Sequence, residues 1–322
     1  MGTATPALRR LQQMTLPRLF VGGVPMVVGS AARLPTPVAV HAVRALRLRQ
    51  GDLVVLFDGH GSAYEGTLIV GGGGARGAVA VALTAQRTAP CGGGAARVTL
   101  AHAVCSASDA VVRAATELGA AVVVPVVSAR SASARGAAAA AAAGVGTGGG
   151  AGDSRRGRRG LDDRWRAISI AACEQCGRDT LPDIAPPVSL ADFLARGPSS
   201  DVRLIADPWG APGLREATAA LSGVQCRTVT LLVGPEGGWA PGEVDAAAAA
   251  GCASAAPAVS APWPMRVPCG FKLIDVCAPA CRYRRVGAGP RVLRSETAAL
   301  ALLAMVQAEW GDMRAGSAEA AM

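Results

Sequence analysis

The chain has 322 residues, 32 basic against 23 acidic side chains for a net charge of +9, and 51% hydrophobic residues, with aromatics at 3% of the chain. That length suits two domains of roughly 100 to 200 residues each, with cores built from Leu, Val and Ala rather than large rings. No run of about twenty large apolar residues offers a bilayer span, and nine irregularly spaced cysteines argue against a secreted disulfide framework and for a reducing compartment.

Lys272 is the only lysine, so nearly all the positive charge is guanidinium. Arginine clamps phosphates bidentately, which mildly favours an RNA partner. The excess of Ala, Gly and Arg equally fits coding rich in guanine and cytosine. Residues 1–16 form a leader with Arg9 and Arg10 and no acidic side chain, a charge bias shared by organelle targeting peptides and also compatible with plain N-terminal fraying. The compartment stays open between the cytoplasm of a bacterium and the plastid or mitochondrion of a nucleated host.

Residues 17–90 read as a small β domain. Arg18–Val21, Asp52–Phe57, Ala63–Val70 and Gly77–Leu83 are strand-like runs, with turn signals at Asp58-Gly59 and Gly61-Ser62. Between them, His41–Leu48 has helical spacing and brings Arg44, Arg47 and Arg49 close together, a plausible RNA-facing surface. From Ala96 strands and helices alternate: strands at Arg97–Ala101, Ala121–Val127, Val202–Ala206 and Thr228–Val233, helices at Ser108–Leu118, Arg164–Gln175 and Glu243–Ala250. Such alternation predicts an α/β domain over 95–312, with a parallel sheet covered on both faces and a short tail at 313–322.

Two segments break the rhythm. Residues 131–160 are Ala- and Gly-rich, ending in Arg155-Arg156-Gly157-Arg158-Arg159, and are expected to be a disordered surface loop. Residues 261–287 hold four prolines, three cysteines and Arg282-Tyr283-Arg284-Arg285 without periodicity, and are expected to be an insertion. The abrupt change of composition there fits intron sequence carried into the reading frame.

Leu231-Leu-Val-Gly-Pro-Glu-Gly-Gly-Trp239 reads as a strand, a glycine loop and then a helix opened by Pro241. Gly234, Gly237 and Gly238 permit close approach of backbone to ligand. Glu236 at the loop's centre would repel a phosphate, and no Walker-type lysine follows. A cationic or neutral nucleotide-like ligand therefore fits, and an adenosyl sulfonium qualifies. Arg291-Val-Leu-Arg-Ser-Glu-Thr-Ala-Ala299 reads as a short strand entering a helix, with Ser295 placed to cap and Glu296 in the first turn. Arg294, charged and lying between strand and cap, calls for a partner.

These stations, together with Pro17–Val21, His41, Arg44, Leu46, Arg47, Gly51-Asp52, Leu56–Gly59, Thr116–Gly119, Arg164-Trp165 and Glu174–Arg178, resemble the RsmE-type 16S ribosomal RNA (uracil-N3)-methyltransferases of the SPOUT superfamily. The resemblance implies an α/β fold with a SPOUT-type parallel sheet and a C-terminal trefoil knot, preceded by a small PUA-like β-barrel, and a homodimer acting on ribosomal RNA or the small ribosomal subunit. It implies S-adenosyl-L-methionine as cofactor, with Leu232, Gly234, Glu236, Gly237, Leu293, Arg294 and Ser295 as its binding positions. Arg294 is expected to stabilise the anion developing on the uridine, and Arg18, His41, Arg44, Arg47 and Arg178 are expected to face RNA. No general base stands out. The sequence departs from the family at Ala129, where a glutamate is usual, at Ala240, where a capping serine is usual, and at the segment 261–287. The competing class is a non-catalytic RNA-binding protein whose cofactor site that segment interrupts.

Other signals carry less. Cys173-Glu-Gln-Cys176 lacks a second pair at zinc spacing, and no metal is expected. Gly71–Gly74 has no Walker continuation. His41, His60 and His102 are too scattered in sequence to suggest a catalytic group.

Overall fold

The computed structural model describes residues 16–72, 78–87, 95–131, 153–197, 200–208, 211–219, 226–250, 283–289 and 291–313, with backbone alone over 153–162. The expected leader up to Thr15, residues 132–152, most of the suspected insertion (261–282) and the tail beyond Met313 lie outside the described residues.

In the N-terminal domain, β1 (Arg18–Phe20), β3 (Leu53–Phe57), β4 (Ala63–Val70), β5 (Val79–Arg87) and β2 (Ala31–Arg33) form one sheet in that spatial order. Only the β1–β3 pair is parallel. Val54 and Leu56 of β3 face the domain core with Leu19, Leu68 and Val81, while Val55 and Phe57 face the other way onto Cys173, Phe20 and Leu181. Both faces of β3 are covered, which is why it reads as an unbroken apolar run. The helix expected over His41–Leu48 begins earlier, as α1 (Thr36–Val40), because Pro37 suits its first turn. It then widens into a π-helical turn, His41–Ala45, closed by the bond from the Leu46 N–H to the His41 carbonyl at 3.0 Å.

In the second domain, the path runs β12 (Arg284–Val286), β10 (Val202–Ala206), β11 (Thr228–Val233), β6 (Arg97–Ala103), β7 (Val122–Val127) and β8 (Asp183–Ile184), with β9 (Val188–Ser189) also on β7. Every pair is parallel. Successive side chains point to opposite faces. Leu100, Val123, Leu204 and Leu231 face α2 (Ser108–Glu117), α3 (Asp153–Cys176) and α7 (Ser295–Trp310), through Val111, Val112, Trp165, Ala299, Leu302, Leu303 and Val306. Ala101, Val124, Ile205 and Leu232 face α4 (Leu190–Arg196) and α6 (Glu243–Ala249), through Leu190, Phe193, Leu194 and Ala247. The short α5 (Leu214–Ala217) packs beside β12.

Three expectations are corrected. Residues 153–160, placed in the disordered loop, are the first turns of α3, where the arginines bring good helix propensity that a composition argument overlooks. The segment expected as an insertion to Gly287 ends sooner among the described residues: Arg284–Val286 pairs with Leu204–Ala206 as a sheet strand. Its two arginines hid it, but Arg285 is neutralised by Asp207 and Arg284 donates to the Ala217 carbonyl at 3.3 Å. Conversely, residues 291–294 are not a strand but an irregular approach to α7.

Candidate functional site

The carboxyl ends of β6, β7, β10, β11 and β12 converge, and in a parallel sheet that edge is where ligands bind. Behind β11 the backbone turns through Gly234–Trp239. A β-carbon on Gly234 would come within 2.9 Å of the Trp239 indole, so only glycine lets the tryptophan fold back over the loop. The indole N–H then donates to the Ala206 carbonyl at the end of β10, 2.8 Å away. From the β7 end, Arg130 donates to the carbonyls of Gly237 and Trp239, both at 3.1 Å. Glu243 accepts from the Ala129 N–H at 3.0 Å and the Ala240 N–H at 2.7 Å. One carboxylate thus binds the backbone at both Ala129 and Ala240, half of a capping box without its serine.

Glu236 is exposed at the loop's apex and accepts from Ser106, from the N–H at 3.3 Å and the hydroxyl at 3.1 Å. Desolvation pushes its pKa up, but hydrogen bonds from its own amide and from Ser106 outweigh that, and the net shift is down. It is a carboxylate at neutral pH. Behind it, Ser295 Oγ donates to the Gly234 carbonyl and lies 3.0 Å from His102 Nε2. Ser295 is therefore not the expected cap. It is the first residue of α7, while Arg294 holds the cap position in an extended conformation without a side-chain bond.

These pieces border a small, open cleft of about 100 Å³, below the roughly 300–1,000 Å³ usual for small-molecule sites. Gly234, Glu236, Leu293 and Ser295 line it together, with Trp239, Val233, Ala298 and Leu302 as apolar wall. Gly237 instead lines the neighbouring groove beside Arg130 and Val292. Leu232 is fully buried on the opposite face of β11, so its side chain belongs to the core. Arg294 is exposed and outside the cleft wall, which takes Arg291 instead.

The expected RNA contacts divide. His41, Arg44, Arg47 and Arg49 are all exposed on the N-terminal domain, and Arg47 has φ +56°, unusual for a side chain other than glycine. Arg18 corrects the expectation: it is 7% exposed, ion-paired with Asp179, bonded to the Arg178 carbonyl at 3.2 Å and stacked on Phe57. A guanidinium so enclosed cannot meet a phosphate. Arg178 is half-buried, donates to the Thr116 carbonyl at 2.9 Å, and faces the groove between the domains. Residues missed from sequence are Arg130, Ser106, Glu243 and His102, each of which matters only through a partner far along the chain. Among the described residues no cluster of metal-binding side chains occurs, and no helix is long and apolar enough to cross a membrane.

A five-stranded β domain carrying an arginine cluster is joined to a parallel sheet with a glycine-loop cleft at its carboxyl edge, and this two-domain architecture is shared with RNA methyltransferases. The RNA methyltransferase domain family matches residues 156–256 and the RNA methyltransferase PUA domain family matches residues 34–75. The ribosomal RNA small subunit methyltransferase E of Synechocystis is 26% identical over 230 residues, covering 70% of this chain and 66% of the relative, and that of Buchnera aphidicola from Schizaphis graminum is 24% identical over 46% of each. The chain thus spans about half to two thirds of the length of these curated relatives. A solved ribosomal RNA small subunit methyltransferase E from Neisseria gonorrhoeae, bound to S-adenosyl methionine, superposes with TM-score 0.66 at 26% identity, covering 92% of this chain and 99% of that one. A putative methyltransferase from Legionella pneumophila, with bound cofactor, shares the fold at TM-score 0.66 and 23% identity, covering 91% and 98%. The chain thus carries matches to an RNA methyltransferase domain and its PUA domain and is similar to ribosomal RNA small subunit methyltransferase E proteins.

Proposed function

We propose that the chain is an S-adenosyl-L-methionine-dependent methyltransferase acting on N3 of a uridine in small-subunit ribosomal RNA. The observation that carries this reading is the cleft: Gly234, Glu236, Leu293 and Ser295, drawn from two distant segments, form one apolar-walled site with a carboxylate at its mouth. The apolar wall of Val233, Ala298 and Leu302 offers a surface for one face of an adenine ring, and ionised Glu236 complements a cation rather than a phosphate. When bound, the cofactor supplies an electrophilic methyl on a sulfonium. The residues of the chain supply position and charge. The Gly234–Trp239 loop, fixed by Arg130, Trp239 and Ser295, sets where the methyl lies. Arg294, exposed beside that loop, stabilises negative charge on the uridine as its N3 proton leaves. His41, Arg44, Arg47 and Arg49 hold the RNA backbone, with Arg178 between the domains. The homodimer, the knot and a cytoplasmic or organellar location go with this family reading.

Arg294→Ala tests the assignment. It is expected to lower methyl transfer to ribosomal RNA about a hundredfold while calorimetric affinity for the cofactor changes little. Equal loss of both would contradict the role given to Arg294, and a wild-type protein without cofactor binding would favour the non-catalytic RNA-binding alternative.

A further inference from the structure

Along β6 the side chains alternate, Leu100 toward α7 and Ala101 away from it, so His102 shares the face of α7. Its ring is 4% exposed, and Nε2 lies 3.0 Å from Ser295 Oγ. The direction of each bond follows from the donors present. A carbonyl only accepts, so the single hydroxyl hydrogen of Ser295 is committed to Gly234. The hydrogen shared with His102 must then come from the imidazole, which fixes the proton on Nε2. Burial holds the ring neutral, drawing its pKa down to about 4 against the attraction of Glu236. Three segments far apart in sequence are thereby joined in one directed chain, from imidazole N–H to hydroxyl to carbonyl. Ser106, four residues beyond His102, makes the second tie from this segment to the same loop, through Glu236.

We propose that His102 is a positioning residue which, by donating to Ser295, fixes the Gly234 carbonyl and so holds the glycine loop in the shape that receives the methyl donor. The inference rests on the cofactor reading above. Without the donor, the Ser295 oxygen loses the bond that fixes its position, and the loop loses one of its restraints. His102→Phe keeps the ring's bulk and removes the donor, and His102→Gln replaces the donor with an amide N–H of similar reach.

The test compares amide hydrogen exchange of Gly234–Trp239 in the ligand-free protein with calorimetric titration of S-adenosyl-L-methionine. In His102→Phe, exchange of the loop should accelerate and cofactor affinity fall, each about fivefold to tenfold, the effect of one buried hydrogen bond. His102→Gln should restore both, which a purely space-filling role would not allow. Ser295→Ala should reproduce the loss, and adding His102→Phe to it should cost no more. Unchanged exchange in His102→Phe, or additive losses in the double variant, overturns the proposal. Should His102→Phe fail to fold, Ser295→Ala decides, and wild-type exchange rates in it overturn the proposal. A wild-type protein that does not bind the cofactor would sink the functional reading instead, leaving the exchange measurement to judge His102.

Discussion

A β-carbon on Gly234 would press on the Trp239 ring, and that ring is tied by its N–H to the end of the neighbouring strand. Gly234→Ala should therefore displace the indole, weaken cofactor binding at least tenfold by calorimetry, and destabilise by about 1–3 kcal/mol, the range for an overpacked site. His102 gives a second prediction, this one in pH. Its unfolded form takes a proton near 6.5 and its folded form only near 4. Between those values the unfolded chain binds more protons, so stability is full above about pH 6.5 and falls as the solution is acidified toward 4. The loss is on the order of 3 kcal/mol. Urea unfolding across that window should show the slope in wild type, and His102→Gln should flatten it. The glycines and Glu236 were legible because they sit in one short motif. His102 was not, because its partner lies 193 residues further on.

At the scale of elements, the π-helical turn and the residues after it carry the exposed arginines, and Arg47 adopts a backbone conformation that costs a non-glycine residue roughly 1 kcal/mol. Arg47→Gly is expected to raise the unfolding free energy by about that amount while lowering affinity for ribosomal RNA. A variant that is more stable and binds RNA as tightly would show that the strain serves no RNA contact. The long strands β6, β7, β10 and β11 were readable because apolar residues on both faces leave an unbroken signal. The strand Arg284–Val286 was not, since its charges are satisfied only by Asp207 and the Ala217 carbonyl in three dimensions. Nor was β2, whose three residues are too few to show a period.

Across the whole molecule, the two domains meet over Phe20, Val55, Phe57, Cys173 and Leu181, and the seam is pinned by Arg18 to Asp179 and by the Phe20 N–H to Glu174 at 3.1 Å. Removing one partner of a buried pair strands the other charge. Asp179→Ala should therefore cost roughly 3–5 kcal/mol in thermal or chemical unfolding. The exposed cluster behaves differently, because its charges remain in water. Replacing Arg44, Arg47 and Arg49 with alanine should leave cofactor binding intact, weaken RNA binding, and reduce the dependence of log affinity on log salt by about 0.7–0.9 for each phosphate that is no longer neutralised. Sequence separated neither set, since an arginine that stitches two domains and one that greets a phosphate look alike until burial is known.

The cleft also has a consequence in time. Its walls come from the ends of β10 and β11, from the edge strand Arg284–Val286 and from the start of α7, so no single contiguous stretch of chain forms it. During synthesis the N-terminal β domain can complete its sheet once Arg87 has left the ribosome, whereas the cleft must wait for Leu302 more than two hundred residues later. On the proposed function, a nascent chain of this protein would expose its arginines to RNA long before it had anywhere to hold a methyl donor.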